Sequence, residues 1–249
     1  MSIIELAGAY NVRDVGGLAT ADDGQTRHAL LYRGDSLDAI TDNDQDLLFR
    51  QLNIGTVVDV RARKEIAYAK WRDTAVRYYQ LAVISDENVG TSPLPVSDPA
   101  ELAKVYLADL QNGAPVLREI LAVLANHLEA GIPCIVHCAA GRDRTGGIMA
   151  VLLAAIGVRD EEIVRDYVLS NHHARHVERR LAENPLYANG QITGHGPVLA
   201  SADTLTGFLA LLRRGYGSPA QFLLASGLAA GVLRRLEAAL VQRHAPPAG

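Results

Sequence analysis

Residues 135–146 read Ile135-Val136-His137-Cys138-Ala139-Ala140-Gly141-Arg142-Asp143-Arg144-Thr145-Gly146. A β-branched apolar run ends in His-Cys, a short loop follows, and beyond it Ile148 to Ile156 is apolar on every side. The pattern predicts a buried strand, a tight loop and a buried helix, the repeating unit of an α/β fold. Where such a loop feeds a helix N-terminus, successive backbone N–H groups converge and the helix dipole adds positive potential. The unit is an anion site.

The side chains on the loop add chemistry to that site. The thiolate of Cys138 can attack phosphorus, the loop amides can hold three equatorial oxygens, and the Arg144 guanidinium can grip two of them. Ala139, Ala140, Gly141, Arg142, Asp143 and Arg144 are therefore the expected substrate-binding residues. A thiol of pKa ~8.5 is only partly ionised at neutral pH, so Cys138 is expected to titrate lower, favoured by the amides and by Arg144. Thr145 can donate its hydroxyl to the sulfur and stabilise it as a leaving group. A bland alternative, an inert cysteine closing a buried strand, explains neither the glycines nor Arg144 and Thr145.

His137-Cys138, five residues, then Arg144-Thr145 make the pattern HCxxxxxR[ST], in which the chain resembles the cysteine-dependent protein tyrosine phosphatases. The continuation Gly-Arg-Asp-Arg-Thr-Gly is similar to a bacterial branch of tyrosine/lipid phosphatases with mycobacterial members, where lysine is common in place of Arg142. Asn11-Val12-Arg13-Asp14-Val15-Gly16-Gly17, Leu31-Tyr32-Arg33-Gly34 and the segment from Asp59 and Arg61 to Glu65 resemble the same branch. The likeness runs from about Gly8 to Leu240. It implies an α/β fold, a central mixed or mostly parallel sheet flanked by helices, with extra helices forming a lid. It implies hydrolysis of phosphomonoesters, phosphotyrosine first, through a phosphocysteine intermediate and without a cofactor. A phosphoinositide phosphatase and a catalytically weak phosphate-binding module are the alternatives. The partner expected is thus a phosphorylated protein or a phosphoinositide. The resemblance makes His137 structural and Arg13 and Asp14 members of a polar network behind the loop.

The leaving oxygen needs a proton, and a carboxylic acid is the usual donor. Three aspartates compete. Asp143 comes first, because members of the family with Asp before the signature arginine are thought to use it. Asp59 comes second, at the carboxyl end of the strand read from Thr56-Val57-Val58, where ligands gather in open α/β sheets. Asp86 is third, on a separate loop. For Asp59 and Arg61 the bland reading is an ion pair with Lys64 or Glu65.

The 249 residues carry a net charge of −4, with 49% hydrophobic and 21% charged residues. That balance fits a globular protein and excludes nucleic acid or an anionic membrane as bulk electrostatic partners. Cys134 and Cys138 lie four apart on one strand, roughly 13 Å in extended backbone, too far for a disulfide. Without a disulfide framework, a basic-then-apolar leader or an apolar run of ~20 residues, a cytoplasmic protein with no integral membrane association is expected. The oligomeric state is not legible.

No linker or repeat divides the chain, so one domain over residues 1–249 is expected. Thr41 can cap a helix through Gln51, and Val76 to Val83 reads as a strand. Ser85 to Gly113 is read as a lid or mobile insertion, with Asp98-Pro99 opening a helix inside it. A further helix runs from about Ala114 to Ala130. Asp160 is the expected cap of a helix whose tail carries His172, His173 and His176. His172 and His176 have metal-pair spacing, but no third ligand is evident and Arg175, Arg179 and Arg180 are poor company for a cation. A solvated basic face, and no metal, is the reading taken. Residues 184–197 read as a loop. Segments Ser201–Arg214, Pro219–Leu224 and Leu228–Arg243 read as the helices of a C-terminal region, 201–243.

Overall fold

The computed structural model describes residues 3–66, 75–87, 89, 98–183, 185–188 and 199–243. Its strands are β1 (Arg13–Asp14), β2 (Gly24–Thr26), β3 (Leu31–Gly34), β4 (Thr56–Asp59), β5 (Arg77–Gln80), β6 (Cys134–His137) and β7 (Val241–Arg243). Its helices are α1 (Asp42–Gln45), α2 (Pro99–Asn112), α3 (Ala114–Glu129), α4 (Asp143–Ala155), α5 (Asp160–Val168), α6 (Ala174–Ala182), α7 (Pro185–Ala188), α8 (Ala202–Tyr216), α9 (Pro219–Ala225) and α10 (Ala230–Leu240).

The main sheet has five strands in the order β1-β3-β6-β4-β5. Only β1 runs antiparallel to its neighbour; β3, β6, β4 and β5 are parallel. The sheet is thus mixed and mostly parallel, as expected. The central strand, β6, is buried along its length. Such a strand needs apolar residues on both faces, which is why Ile135 and Val136 form a continuous run rather than an alternation. Pairing sets Gly34, His137 and Asp59 side by side at the carboxyl edge of three parallel strands. The Cys138 loop leaves the sheet at that edge.

α4 follows the loop and is buried from Thr145 through Leu153. Its all-round apolar surface is explained by neighbours on several sides, with α2, α5, α8 and α9 packing against it. Local signals placed most termini correctly. Thr41 accepts from the Asp44 amide while the Asp44 carboxylate accepts from the Thr41 amide, a capping box that also ties in Ala7 and Gly8. Asp98 caps α2 at the Ala100 amide, with Pro99 in the first turn.

Four expectations change. The helix read through Gln51 is α1 followed by a π-helical turn over Asp46–Gln51. Asp160 is the first residue of α5, and Arg159 holds the cap position. The last helix stops at Leu240, because Val241–Arg243 pairs antiparallel with Gly24–Thr26. Finally, α2 belongs to the core rather than lying over it: Ala103, Tyr106 and Leu110 are buried and the helix packs on α8 and α4. The rest of the expected insertion includes residues 88 and 90–97, and the loop read at 184–197 includes 184 and 189–197. Those positions lie outside the described residues.

Candidate active site

Cys138 sits at the end of β6, 2% exposed, and the Gly141 amide donates to its Sγ at 3.2 Å. The loop holds this shape because its carbonyls are anchored outward. Ala139 O accepts from Arg180 Nη2 at 2.8 Å and from the Ser36 amide at 3.1 Å. Ala140 O accepts from Asn11 Nδ2 at 2.9 Å, and Gly141 O from Arg33 Nη2 at 2.7 Å. A peptide's N–H points opposite to its C=O, so three outward carbonyls turn the amides of residues 140–142 inward. Gly141 is required twice over: its φ is +67°, and a Cβ there would lie 2.4 Å from Gly34 O.

Arg33 is itself held from behind. Asp166 of α5 accepts from Arg33 Nη1 at 2.6 Å and from Arg13 Nε at 2.8 Å, all three side chains being buried. Arg13 Nη1 reaches Asn11 Oδ1 at 2.5 Å, which joins the loop's anchors into one network. Burial opposes charge on Asp166, but the two guanidiniums hold its carboxyl below the usual range. Burial and the neighbouring Arg33 bring Arg13 down to about 10. Asp14 stands apart, accepting from the Gly16 and Ala29 amides.

Arg144 lies in the first turn of α4. Its Nη1 and Nη2 meet Glu65 Oε2 and Oε1 at 2.6 and 2.8 Å, a two-pronged pair that fixes the guanidinium plane. Glu65 also accepts from the Ala62 amide and from the Tyr187 hydroxyl. Burial works against the charge on Arg144, yet the cysteine and Glu65 keep it firmly protonated. Thr145 Oγ1 is buried and makes no hydrogen bond among the described residues, so the expected bond to Cys138 is not formed here. His137 is fully buried, and burial lowers its pKa despite the nearby Asp59, so the ring is neutral.

The three aspartates part company. Asp143 is 35% exposed, accepts from Arg142 Nε at 3.0 Å and Nη2 at 2.9 Å, and accepts from the Tyr106 hydroxyl. Burial resists ionisation there, but Arg142 and Tyr106 outweigh it and the carboxyl is held below its ordinary range. Asp59 is fully buried beneath the loop. It accepts from the Arg61 amide and Nε at 3.0 Å, from Arg61 Nη2 at 2.7 Å and from Tyr78 at 2.8 Å. Its partner is Arg61, not Lys64 or Glu65, and Arg61 in turn binds Asp38. Asp86 accepts from the Lys64 amide at 3.1 Å. Arg180, read from sequence within a solvated face, instead reaches back to the loop and to Ser36 O. Among the described residues no group of three or more His, Cys, Asp or Glu side chains is placed to hold a metal. Nor is any helix long and apolar enough to cross a membrane.

Asp59 makes a stability prediction. Burial favours the neutral acid, but the Arg61 guanidinium, by charge and hydrogen bond, and the Tyr78 hydroxyl win, and the pKa falls from 3.8 to about 2. A folded-state pKa below the unfolded one stabilises the fold above pH ~4 and loses that stabilisation as pH falls towards 2, a change of roughly 2 kcal/mol. Urea unfolding at a series of pH values should show Asp59→Asn less stable than the parent at pH 6. The two should converge at pH 2; parallel curves would deny the linkage.

Comparison with known proteins gives a consistent result. A model described as the tyrosine phosphatase family matches residues 4–242. The triple specificity protein phosphatase PtpB of Mycobacterium tuberculosis is 30% identical over 217 residues, covering 74% of this chain and 74% of that protein. A tyrosine-protein phosphatase of Nostoc commune is 27% identical over 217 residues, covering 83% of this chain and 72% of it.

Proposed function

The chain belongs to the tyrosine phosphatase family, and we propose that it hydrolyses phosphotyrosine by way of a phosphocysteine on Cys138. The observation that carries the assignment of the site is the loop itself, with carbonyls tied outward and an amide on the sulfur. The thiolate attacks phosphorus and the ester P–O bond breaks. The amides and Arg144 take up the charge on the equatorial oxygens, which is the largest service a protein performs for phosphoryl transfer. Water then attacks the phosphocysteine, and the electron pair of the S–P bond returns to Sγ. Thr145 Oγ1, buried and without a hydrogen bond among the described residues, is left to donate to the sulfur as it departs. Residues 4–242 act as one catalytic unit, since the helices after the loop pack on the same core as the sheet.

Phosphotyrosine is favoured over phosphoinositide because Arg142 and Arg144 do not form a doubly positive mouth. Each is paired with a carboxylate, Asp143 and Glu65 respectively. A turnover panel of phosphotyrosine peptides, phosphoserine/threonine peptides and phosphoinositides tests the reading. We expect kcat/KM at least tenfold higher on phosphotyrosine peptides than on the other two. Phosphate binding without turnover of any ester would make the chain a binding module.

A further inference from the structure

We propose that Tyr106, on α2, is a positioning residue for Asp143, and that Tyr106 with Tyr167 behind it fixes how that carboxyl holds its proton. The role rests on the phosphatase reading above and on Asp143 as the acid, the first of the three aspartates expected from sequence. The other two are engaged elsewhere: Asp59 is fully buried and bound by Arg61, and Asp86 accepts from the Lys64 amide.

The Tyr106 hydroxyl donates to Asp143 Oδ1 and meets the Tyr167 hydroxyl at 2.8 Å. A phenol carries one proton, and a carboxylate can only accept. With that proton directed at Asp143, the Tyr106 oxygen must accept in its second contact, so donation runs from Tyr167 to Tyr106 to Asp143. Such a chain strengthens each of its bonds. Both rings are locked by packing. Tyr106 is 4% exposed and stands edge-on to Tyr167 and to Phe208 of α8, with ring centres 6.4 and 6.1 Å away. Tyr167, on α5, lies so close to Gly146 that a Cβ there would come within 3.0 Å of its ring. Three helices therefore hold one hydroxyl against the carboxyl that opens α4. Arg142 holds the other side, its Nε 3.0 Å from Oδ1 and its Nη2 2.9 Å from Oδ2. With Tyr106 aimed at Oδ1, the proton of the acid form is left to Oδ2.

The titratable and charged groups around Asp143 are Arg142 in the loop, Arg144 in α4, Tyr106 and Asp109 from α2, and Tyr167 from α5. Burial and the adjacent Asp143 push the Tyr106 phenol far up, so it remains a donor across the working range. Its donation favours the carboxylate and lowers the pKa of Asp143. A doubly negative phosphoryl ester seated in the loop acts in the opposite sense and returns the proton. Removing the Tyr106 hydroxyl alone must therefore let Asp143 keep its proton to higher pH.

The test uses Tyr106→Phe in the full chain, which keeps the ring and removes the donor. The basic limb of its kcat/KM–pH profile should move up by about one pH unit, the scale of one hydrogen bond to a charged group. Below that limb, kcat on phenyl phosphate should fall about tenfold, and on p-nitrophenyl phosphate, whose anion departs nearly unaided, about twofold or less. Tyr167→Phe should shift the limb in the same direction by less. In an Asp143→Asn background, Tyr106→Phe should add neither effect, since the group it positions is gone. An unmoved limb, equal losses on both substrates, or the same effects persisting without the Asp143 carboxyl would each overturn the assignment. Should Tyr106→Phe not fold, the Tyr167→Phe profile decides alone, an unmoved limb counting against the pair. Failure of the phosphatase reading looks different: the parent chain itself would not turn over p-nitrophenyl phosphate.

Discussion

Cys138→Ser is expected to lower kcat on p-nitrophenyl phosphate by on the order of 10⁵-fold, the scale on which nucleophile loss acts in covalent catalysis. Inorganic phosphate should still bind. The reason lies in how the loop is held. Its carbonyls are tied to Asn11, Arg33, Arg180 and the Ser36 amide, none of which depends on the sulfur. The amides of residues 140–142 therefore still face inward when the nucleophile is gone. Titration calorimetry with phosphate, beside the turnover assay, reads both halves. Residual hydrolysis above about a hundredth of the parent rate would sink the covalent route. Loss of phosphate binding together with turnover would mean that the thiolate, rather than the buried network, shapes the loop.

Arg144→Lys should be nearly as damaging as Arg144→Ala, each losing about 10³-fold in kcat/KM. A planar guanidinium can engage Glu65 through two nitrogens and still present its Nε to a phosphoryl group; an ammonium is a point charge without that fork. Glu65 is 1% exposed, so neither substitution leaves it a matched partner, and breaking a buried pair costs roughly 3–5 kcal/mol. Steady-state kinetics on one phosphotyrosine peptide decides the matter. If lysine restored most of kcat, plain positive charge would suffice and the two-pronged contact would be irrelevant.

The cysteine loop was legible because every signal it needs is local. A β-branched run, a glycine that tolerates positive φ and an all-apolar helix lie within about twenty residues, and short-range sterics and burial interpret them in one way. Arg13 could also be placed behind the loop, since it falls in a short pattern that the resemblance carries; Asp14, read beside it, instead accepts from the Gly16 and Ala29 amides. Arg180, Asp166 and Glu65 could not. Arg180 looks like one more charge on a basic helix, and Asp166 like one more acid between apolar positions. Only the packing of α5 and α6 against the sheet edge brings them to Arg33 and Ala139.

Asp59 shows the same division for a carboxylate. A strand-end aspartate beside the nucleophile strand reads as a candidate acid. In the structure its side chain is fully buried and is taken up by Arg61 and the Tyr78 hydroxyl. Val241–Arg243 follows a similar logic, with pairing to Gly24–Thr26 overriding a helical run. Residue type and short spacing determine the nucleophile, its anion-binding loop and the strand–helix unit, because those depend on torsions and periodicity within a few turns of chain. Which charges are buried and which are paired is decided by desolvation and by partners distant in sequence, as Asp166 is 153 residues from Arg13, and only the folded chain brings those into contact.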